Sequence, residues 1–304
     1  KPDGIVSKYG ADTLRLYLLS SGRIGEDYRF SDRLVGDLYR RFTLLLWNVW
    51  QYYRTYAGSG EHAAGNREEQ RSLLDRWILA RTRQLRLDIK EAMDTYRLDA
   101  AARVLIPFVD DLSSWYVRRS RGREEALPVL REVLRNFSLV AAPFIPFLSE
   151  HIHRELTGRS PHLEDSPPIA ELTSSDKDIL EKMDQLRELV SVHHRHRAEK
   201  GIRLRQPLPS LASVGFPVEF EQPEWRDLIK QETNVEEVRT ESVSSLEDWV
   251  MQGSAFQLRS VLGGGRGVGT TLTIDAQLHE KGLVRDLIRS VQEVRSKAGY
   301  AVND

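Results

Sequence analysis

The 304-residue sequence contains no cysteine and only three methionines. Without thiols there are no disulfides, no thiolate zinc sites and no cysteine nucleophiles, and a reducing compartment is the simpler setting. Long hydrophobic runs are missing too, since none approaches the roughly 20 residues that a bilayer span needs. The first residues, Lys1-Pro2-Asp3-Gly4, lack the apolar stretch of a secretory signal. These absences are read as a soluble, cytoplasmic protein with no membrane partner. An excess of one charge sign is also lacking, because 44 Lys and Arg face 45 Asp and Glu, for a net charge of -1. That balance hides local extremes. Arg118 to Arg123 holds four Arg and no acid, while Glu219 to Asp248 holds ten acids against Arg226, Lys230 and Arg239. Local sign therefore says more about partners than the total does.

What is present is helical periodicity. Two short helical pieces meet at Gly10, and the abrupt start suggests a segment of something longer. From Ser31, a plausible N-cap, Leu34, Leu38, Phe42, Leu45, Val49, Tyr52 and Tyr56 step by three and four to the end of a helix near Ala57. A polar loop follows, Gly58 to Asn66. A second helix carries Leu74, Trp77, Ile78, Leu85, Ile89 and Met93. The third runs from Leu98 through Ala101, Leu105, Phe108, Leu112, Trp115 and Tyr116 into the basic tip, and Pro107 inside it demands a kink or a junction of two helices. A fourth spans Leu127 to Ala141, with a shorter helix resuming through Ser149 to Leu156. Such stripes can be buried only against one another, so the first part reads as a helical bundle. After a polar crossover, a further helix covers Asp176 to about Lys200.

Beyond Gly201 the pattern changes to a small α+β domain. Strands are expected at Leu208 to Val214, Val235 to Val238 and Thr271 to Ile274, with helices at Glu224 to Glu232 and His279 to Ala298. Thr240 to Thr270 shows no period, and its Gly-rich part, Gly263 to Gly269, reads as a flexible loop. The mainly α fold thus divides into residues 1–30, a bundle at 31–200 and an α+β domain at 201–304.

No catalytic constellation emerges. Adjacent Asp110 and Asp111 face directions about 100° apart on a helix. His193, His194 and His196, with Arg195, Arg197 and Lys200 beside them, are read as cations in search of an anion, with no Cys to complete a metal site, and His151 and His153 point to different helix faces, so both are read as exposed or capping. Gly264, Gly267 and Gly269 do not make a true phosphate-cradling motif and precede a strand rather than a helix. Trp115 and Tyr116 continue the apolar stripe and are read as core. The cations remain. Arg118, Arg119 and Arg121 form one candidate polyanion contact, and Arg195, Arg197, Lys200, Arg203 and Arg205 a second, because the planar Arg fork suits phosphate and two basic surfaces suit an extended polyanion.

Several stretches resemble one family. Ile5-Val-Ser-Lys-Tyr-Gly-Ala-Asp-Thr-Leu-Arg15, Leu46-Trp-Asn-Val49, Asp75-Arg-Trp-Ile78 and Ala142-Pro-Phe-Ile-Pro-Phe-Leu-Ser-Glu150 resemble class I aminoacyl-tRNA synthetases for aliphatic amino acids. Asp111-Leu-Ser-Ser-Trp-Tyr-Val-Arg-Arg-Ser-Arg121, His162-Leu-Glu-Asp165, Gly201-Ile-Arg-Leu-Arg-Gln-Pro-Leu208, Glu232-Thr-Asn-Val-Glu-Glu-Val238 and Gly282-Leu-Val-Arg-Asp-Leu-Ile-Arg-Ser-Val-Gln292 with Lys297-Ala-Gly-Tyr300 are similar to the isoleucyl-tRNA synthetases in particular. Ser166 departs from that pattern, where Trp is usual. The lack of Cys resembles the eukaryotic-type, zinc-free branch.

The resemblance implies a remnant of the stem-contact region, then a helical anticodon-binding domain, then a C-terminal appendage, with tRNA for isoleucine as partner and no DNA. The adenylating signatures, the editing domain and the Lys-Met-Ser-Lys-Ser loop are absent from this sequence, so the segment is expected to be inactive alone. ATP and Mg belong to the catalytic domain of a parent expected to be monomeric, and no cofactor or metal is expected here. Two rivals stand beside this reading. One is a free-standing RNA-binding or regulatory protein, and the other is a helical protein-interaction module.

Overall fold

The computed structural model describes residues 2–22, 30–58, 71–165, 168–240, 258–262 and 265–298. Most of the polar loop expected at Gly58 to Asn66, Ser166, and parts of the Thr240 to Thr270 stretch and of Lys297 to Tyr300 lie outside the described residues. The chain divides into two units, Lys1–Leu180 and Glu181–Asp304. That division falls about twenty residues before the expected change at Gly201, inside a helix.

Among the described residues of the first unit, every regular element is a helix. Helices α1 (Pro2–Tyr9) and α2 (Ala11–Ser20) meet at Gly10, whose φ of 83° only glycine adopts freely. Ser31 caps α3 (Asp32–Leu38) by accepting the Leu34 N–H. The expected single helix is then interrupted by a π-helical turn, Tyr39–Thr43, before α4 (Leu44–Ala57). Such a turn shifts the buried stripe without a break, so Phe42 and Leu46 both enter the core. Helix α5 (Leu73–Asp94) opens with a capping box between Ser72 and Asp75. Helix α6 (Leu98–Asp110) passes through Pro107 and continues as a π-helical segment, Asp111–Val117, into one last turn, α7 (Arg118–Ser120). Helices α8 (Ala126–Ala141) and α9 (Pro146–Thr157) complete the bundle.

Helix α5 packs on α6 and α8, α8 on α9, and α2 on α6. Trp50, Trp77, Phe42, Tyr116 and the stacked pair Phe108 and Phe137, with centroids 5.5 Å apart, fill the centre. Each such side chain stabilises the fold by roughly 1.5–3 kcal/mol on burial. Asp12, itself buried, accepts N–H bonds from Phe147 and Leu148 and so caps the start of α9 from α2. Burial pushes its carboxyl above the usual range, and those two bonds pull it back.

Two histidine expectations are corrected here. His153 is fully buried against the Ser138 hydroxyl at 2.8 Å, and His151 is half-buried, accepting a bond from Trp50 Nε1 at 3.3 Å beside Trp47. Trp115 is half-buried, whereas Tyr116 is core.

Helix α10 (Ser174–Glu199) runs from the first unit into the second. There a sheet of order β2-β1-β4-β3 is formed by β1 (Leu208–Val214), β2 (Val235–Thr240), β3 (Leu258–Leu262) and β4 (Arg266–Thr270). Strands β1 and β2 are parallel, joined through α11 (Pro223–Thr233), and β4 is antiparallel to both β1 and β3.

Within the Gly-rich stretch, Arg266 to Gly269 is thus corrected from a loop to an interior strand. Gly267 and Gly269 pair with Val214 and Ala212 on one side and with Val261 and Arg259 on the other, while Val268 is fully buried. Glycine is a poor strand former, but here both neighbouring strands satisfy its backbone groups. The strand expected at Thr271 to Ile274 is likewise corrected, since regular pairing ends at Thr270.

Helix α12 (Ala276–Lys297) turns Gly282, Lys281, Arg285 and Asp286 toward the unit, and Leu283, Leu287, Val291 and Val294 are exposed.

Candidate nucleic-acid interface

The first cationic cluster is built by the end of the α6–α7 path. Gly122, with φ at 80°, turns the chain immediately after the last helical turn, so Arg118, Arg119, Arg121 and Arg123 are displayed around one bend. Arg118 and Arg121 are exposed and Arg119 is half-buried. Arg118 Nε donates to the Ser114 carbonyl at 2.6 Å, which draws its stem along the helix.

Arg123 has a different task. Its Nη2 donates to Asp75 Oδ2 at 2.8 Å, and Asp75 is completely buried. The same carboxylate accepts from Ser72 N at 3.0 Å and Ser72 Oγ at 2.8 Å, and its other oxygen accepts from Tyr116 Oη at 2.8 Å. One buried acid therefore holds the cap of α5, the π-helical segment and the basic bend together. Burial first, and the Asp75 charge next, push the Tyr116 hydroxyl well above its ordinary value, so it stays a donor.

Aromatic residues flank the bend. Tyr52 Oη donates to the Ser120 carbonyl at 3.4 Å, and the Tyr52 and Tyr56 rings lie 4.9 Å apart at 45°. Burial raises the Tyr52 hydroxyl, with Tyr56 adding to the effect, while Arg121, the Gly122 N–H and Arg123 oppose it. The sequence reading missed both tyrosines because they continued a periodic stripe. Their signal was the i, i+4 spacing at the end of α4, one step off the buried face of Val49, Trp50, Tyr53 and Ala57.

The second cluster is corrected at its centre. Arg197 is only 1% exposed. Its Nε donates to His193 Nε2 at 2.9 Å, Nη1 to the carbonyls of Arg203 at 3.1 Å and Gln206 at 2.7 Å, and Nη2 to those of Thr233 at 2.8 Å and Asn234 at 2.9 Å. All five guanidinium protons are used inside the fold, so Arg197 offers nothing to a phosphate. Burial, with Arg285 nearby, holds its pKa down to about 10.

The histidines expected to be cationic are corrected with it. His193 is fully buried and its pKa is lowered to about 3, first by burial and then by Arg197. His193 Nε2 lies 2.9 Å from Arg197 Nε and 3.0 Å from the Thr233 carbonyl, while its Nδ1 lies 3.1 Å from Thr270 Oγ1, which is 2.9 Å from His196 Nδ1. Burial lowers His196 as well. His194 Nε2 reaches the Glu232 carbonyl at 3.0 Å.

Arg195 and Lys200 stand on the surface. Arg203 and Arg205 share Asp286 of α12, at 3.5 and 2.5 Å, so part of their charge is offset within the unit. Asp111, set aside as a catalytic candidate, is buried and pairs with Arg81 at 2.9 Å. Among the described residues the arrangement displays cationic and aromatic side chains around one bend.

Residues 75–212 match the family described as the anticodon-binding domain of tRNA ligase. Over those residues the chain carries that anticodon-binding domain. The isoleucine-tRNA ligase of Chlamydia caviae is 36% identical over 256 residues, which cover 78% of this chain and 24% of that protein. That of Chlamydia trachomatis serovar L2 is 38% identical over the same extent, and isoleucine-tRNA ligase 2 of Bacillus anthracis is 33% identical over 252 residues. The matched part of the chain thus spans about a quarter of the length of these curated relatives. A solved leucyl-tRNA synthetase complex from Agrobacterium radiobacter K84 aligns with a TM-score of 0.41 and 16% identity over 75% of this chain and 27% of its own, a likeness too loose to argue from.

Proposed function

We propose that this chain is the anticodon-arm-binding portion of an isoleucine-tRNA ligase, whose whole joins isoleucine to its tRNA at the expense of ATP, with ATP and Mg bound in a separate catalytic domain. The observation that carries this is the bend at Arg118 to Arg123, where cations and tyrosines are held on a rigid buried network. RNA recognition needs that combination, with phosphates neutralised by Arg and unstacked bases met by aromatic faces. Isoleucine as the amino acid is supported by the relatives named above. By holding the anticodon arm, the segment directs the acceptor end toward a distant active site, and its binding energy is used for tRNA selection. The parent acts as a monomer in the cytoplasm. Among the described residues no helix is long and apolar enough to cross a membrane, which fits that setting.

Filter binding with isoleucine tRNA and an anticodon variant tests the reading. The expected result is tighter binding of the cognate tRNA. Equal affinity for both, or none for either, would overturn it.

A further inference from the structure

We propose that Tyr52 and Tyr56, with Arg121 beside them, form a receiving platform for one unpaired nucleobase and its neighbouring phosphate. The proposal deepens the anticodon-arm reading and rests on it. Tyr52 and Tyr56 are ring neighbours, 4.9 Å apart, yet neither is taken into the bundle core. Tyr56 is 47% exposed at the last turn of α4, a position where the opposite face already supplies Trp50, Tyr53 and Ala57 for packing. A large ring left in water gains little for the fold.

Tyr52 is nevertheless held. The Tyr52 hydroxyl is tied to the Ser120 carbonyl, and Ser120 itself is buried, so the orientation of Tyr52 is set by the same bend that displays Arg121. Arg121 follows Ser120 directly in the chain, so it leaves the backbone one residue from the carbonyl that holds the Tyr52 hydroxyl, and its charge acts on that hydroxyl. Arg123 is committed to Asp75, whereas Arg121 is exposed. An aromatic face whose rotamer is already held, with a cation at its edge, fits a planar base carrying an anion on the same backbone. An acidic peptide would use the cation and leave the ring face idle.

Stacking is worth roughly 1–3 kcal/mol per base, which corresponds to about a 5- to 150-fold change in affinity. The test uses the full chain, isoleucine tRNA and a set of the same tRNA with each anticodon-loop nucleotide in turn made abasic. Tyr56→Ala should lose affinity within that range for intact tRNA with its salt slope unchanged. One abasic tRNA should bind the unaltered chain correspondingly weakly and be indifferent to Tyr56→Ala. Tyr56→Phe, which keeps the ring, should bind as the unaltered chain does. Arg121→Ala should instead reduce the salt slope by about one.

If the unaltered chain distinguishes anticodon variants but Tyr56→Ala binds every tRNA normally, the platform is wrong and the anticodon-arm reading stands. A loss that is equal for intact and all abasic tRNAs would also overturn it, as a structural effect. An acidic peptide that displaces tRNA from the unaltered chain and not from Tyr56→Ala would overturn it in favour of a protein ligand. If the unaltered chain binds no tRNA, both readings fall.

Discussion

At the residue scale, Arg197 shows how one side chain can belong to two patterns. In the chain it sits in a basic run with Arg195 and Lys200, and a charge run ordinarily means a solvated face. It also sits at the next step of the stripe Leu186, Val190, His193, all buried. The stripe wins, because five neutral acceptors surround the guanidinium and repay its lost hydration. Its neighbour His193 makes this testable through pH. The folded pKa of about 3 lies below the ordinary value near 6.5, so the unfolded chain binds more protons between the two. Stability is therefore complete above pH 6.5 and falls as pH falls. Urea titrations should show a loss of about 2 kcal/mol between pH 7 and pH 5 from this group, with His196 adding in the same direction. His193→Gln should flatten that dependence. An identical pH profile in the variant would refute the assignment.

At the scale of elements, Ser72 and Asp75 share one capping box but carry unequal weight. Ser72→Ala removes a cap and should cost about 1 kcal/mol. Asp75→Ala also removes the buried anion that Arg123 and Tyr116 share, leaves Tyr116 only the Ala126 carbonyl and opens a buried void, at about 3 kcal/mol. Thermal unfolding of the two variants should separate them clearly, and similar costs would mean that the carboxylate serves only as a cap. Other helix ends were legible in the sequence. Ser31, Gly10 and the span of β1 read directly from residue chemistry, because caps and turns depend on neighbours in the chain. The π-helical turns at Tyr39–Thr43 and Asp111–Val117 did not, since an extra residue in a turn is chosen by what packs around it. Nor did β4, whose glycines have the local chemistry of a loop and become a strand only between β1 and β3.

At the scale of the whole molecule, each unit carries its own buried network, centred on Asp75 in one and Arg197 in the other. All five acceptors of Arg197 lie in the second unit. Arg197→Ala should cost that unit about 3–5 kcal/mol through the carbonyls left unpaired. Hydrogen exchange should then speed up in β1, β2 and α11 while amides of α5, α6 and α8 keep their protection. Equal loss in both sets would show that the two units unfold as one.

The sequence alone determined the helical bundle, the α+β part, the kinship with synthetases and the presence of cationic runs. These depend on periodicity, caps and local composition, which are properties of neighbouring residues. Only the tertiary structure decided which cations face solvent, which histidines stay neutral and which aromatic rings flank the basic bend. Those outcomes depend on partners such as Asp75 with Arg123 and Arg197 with Thr233, whose distance along the chain hides them until the fold brings them within hydrogen-bonding reach.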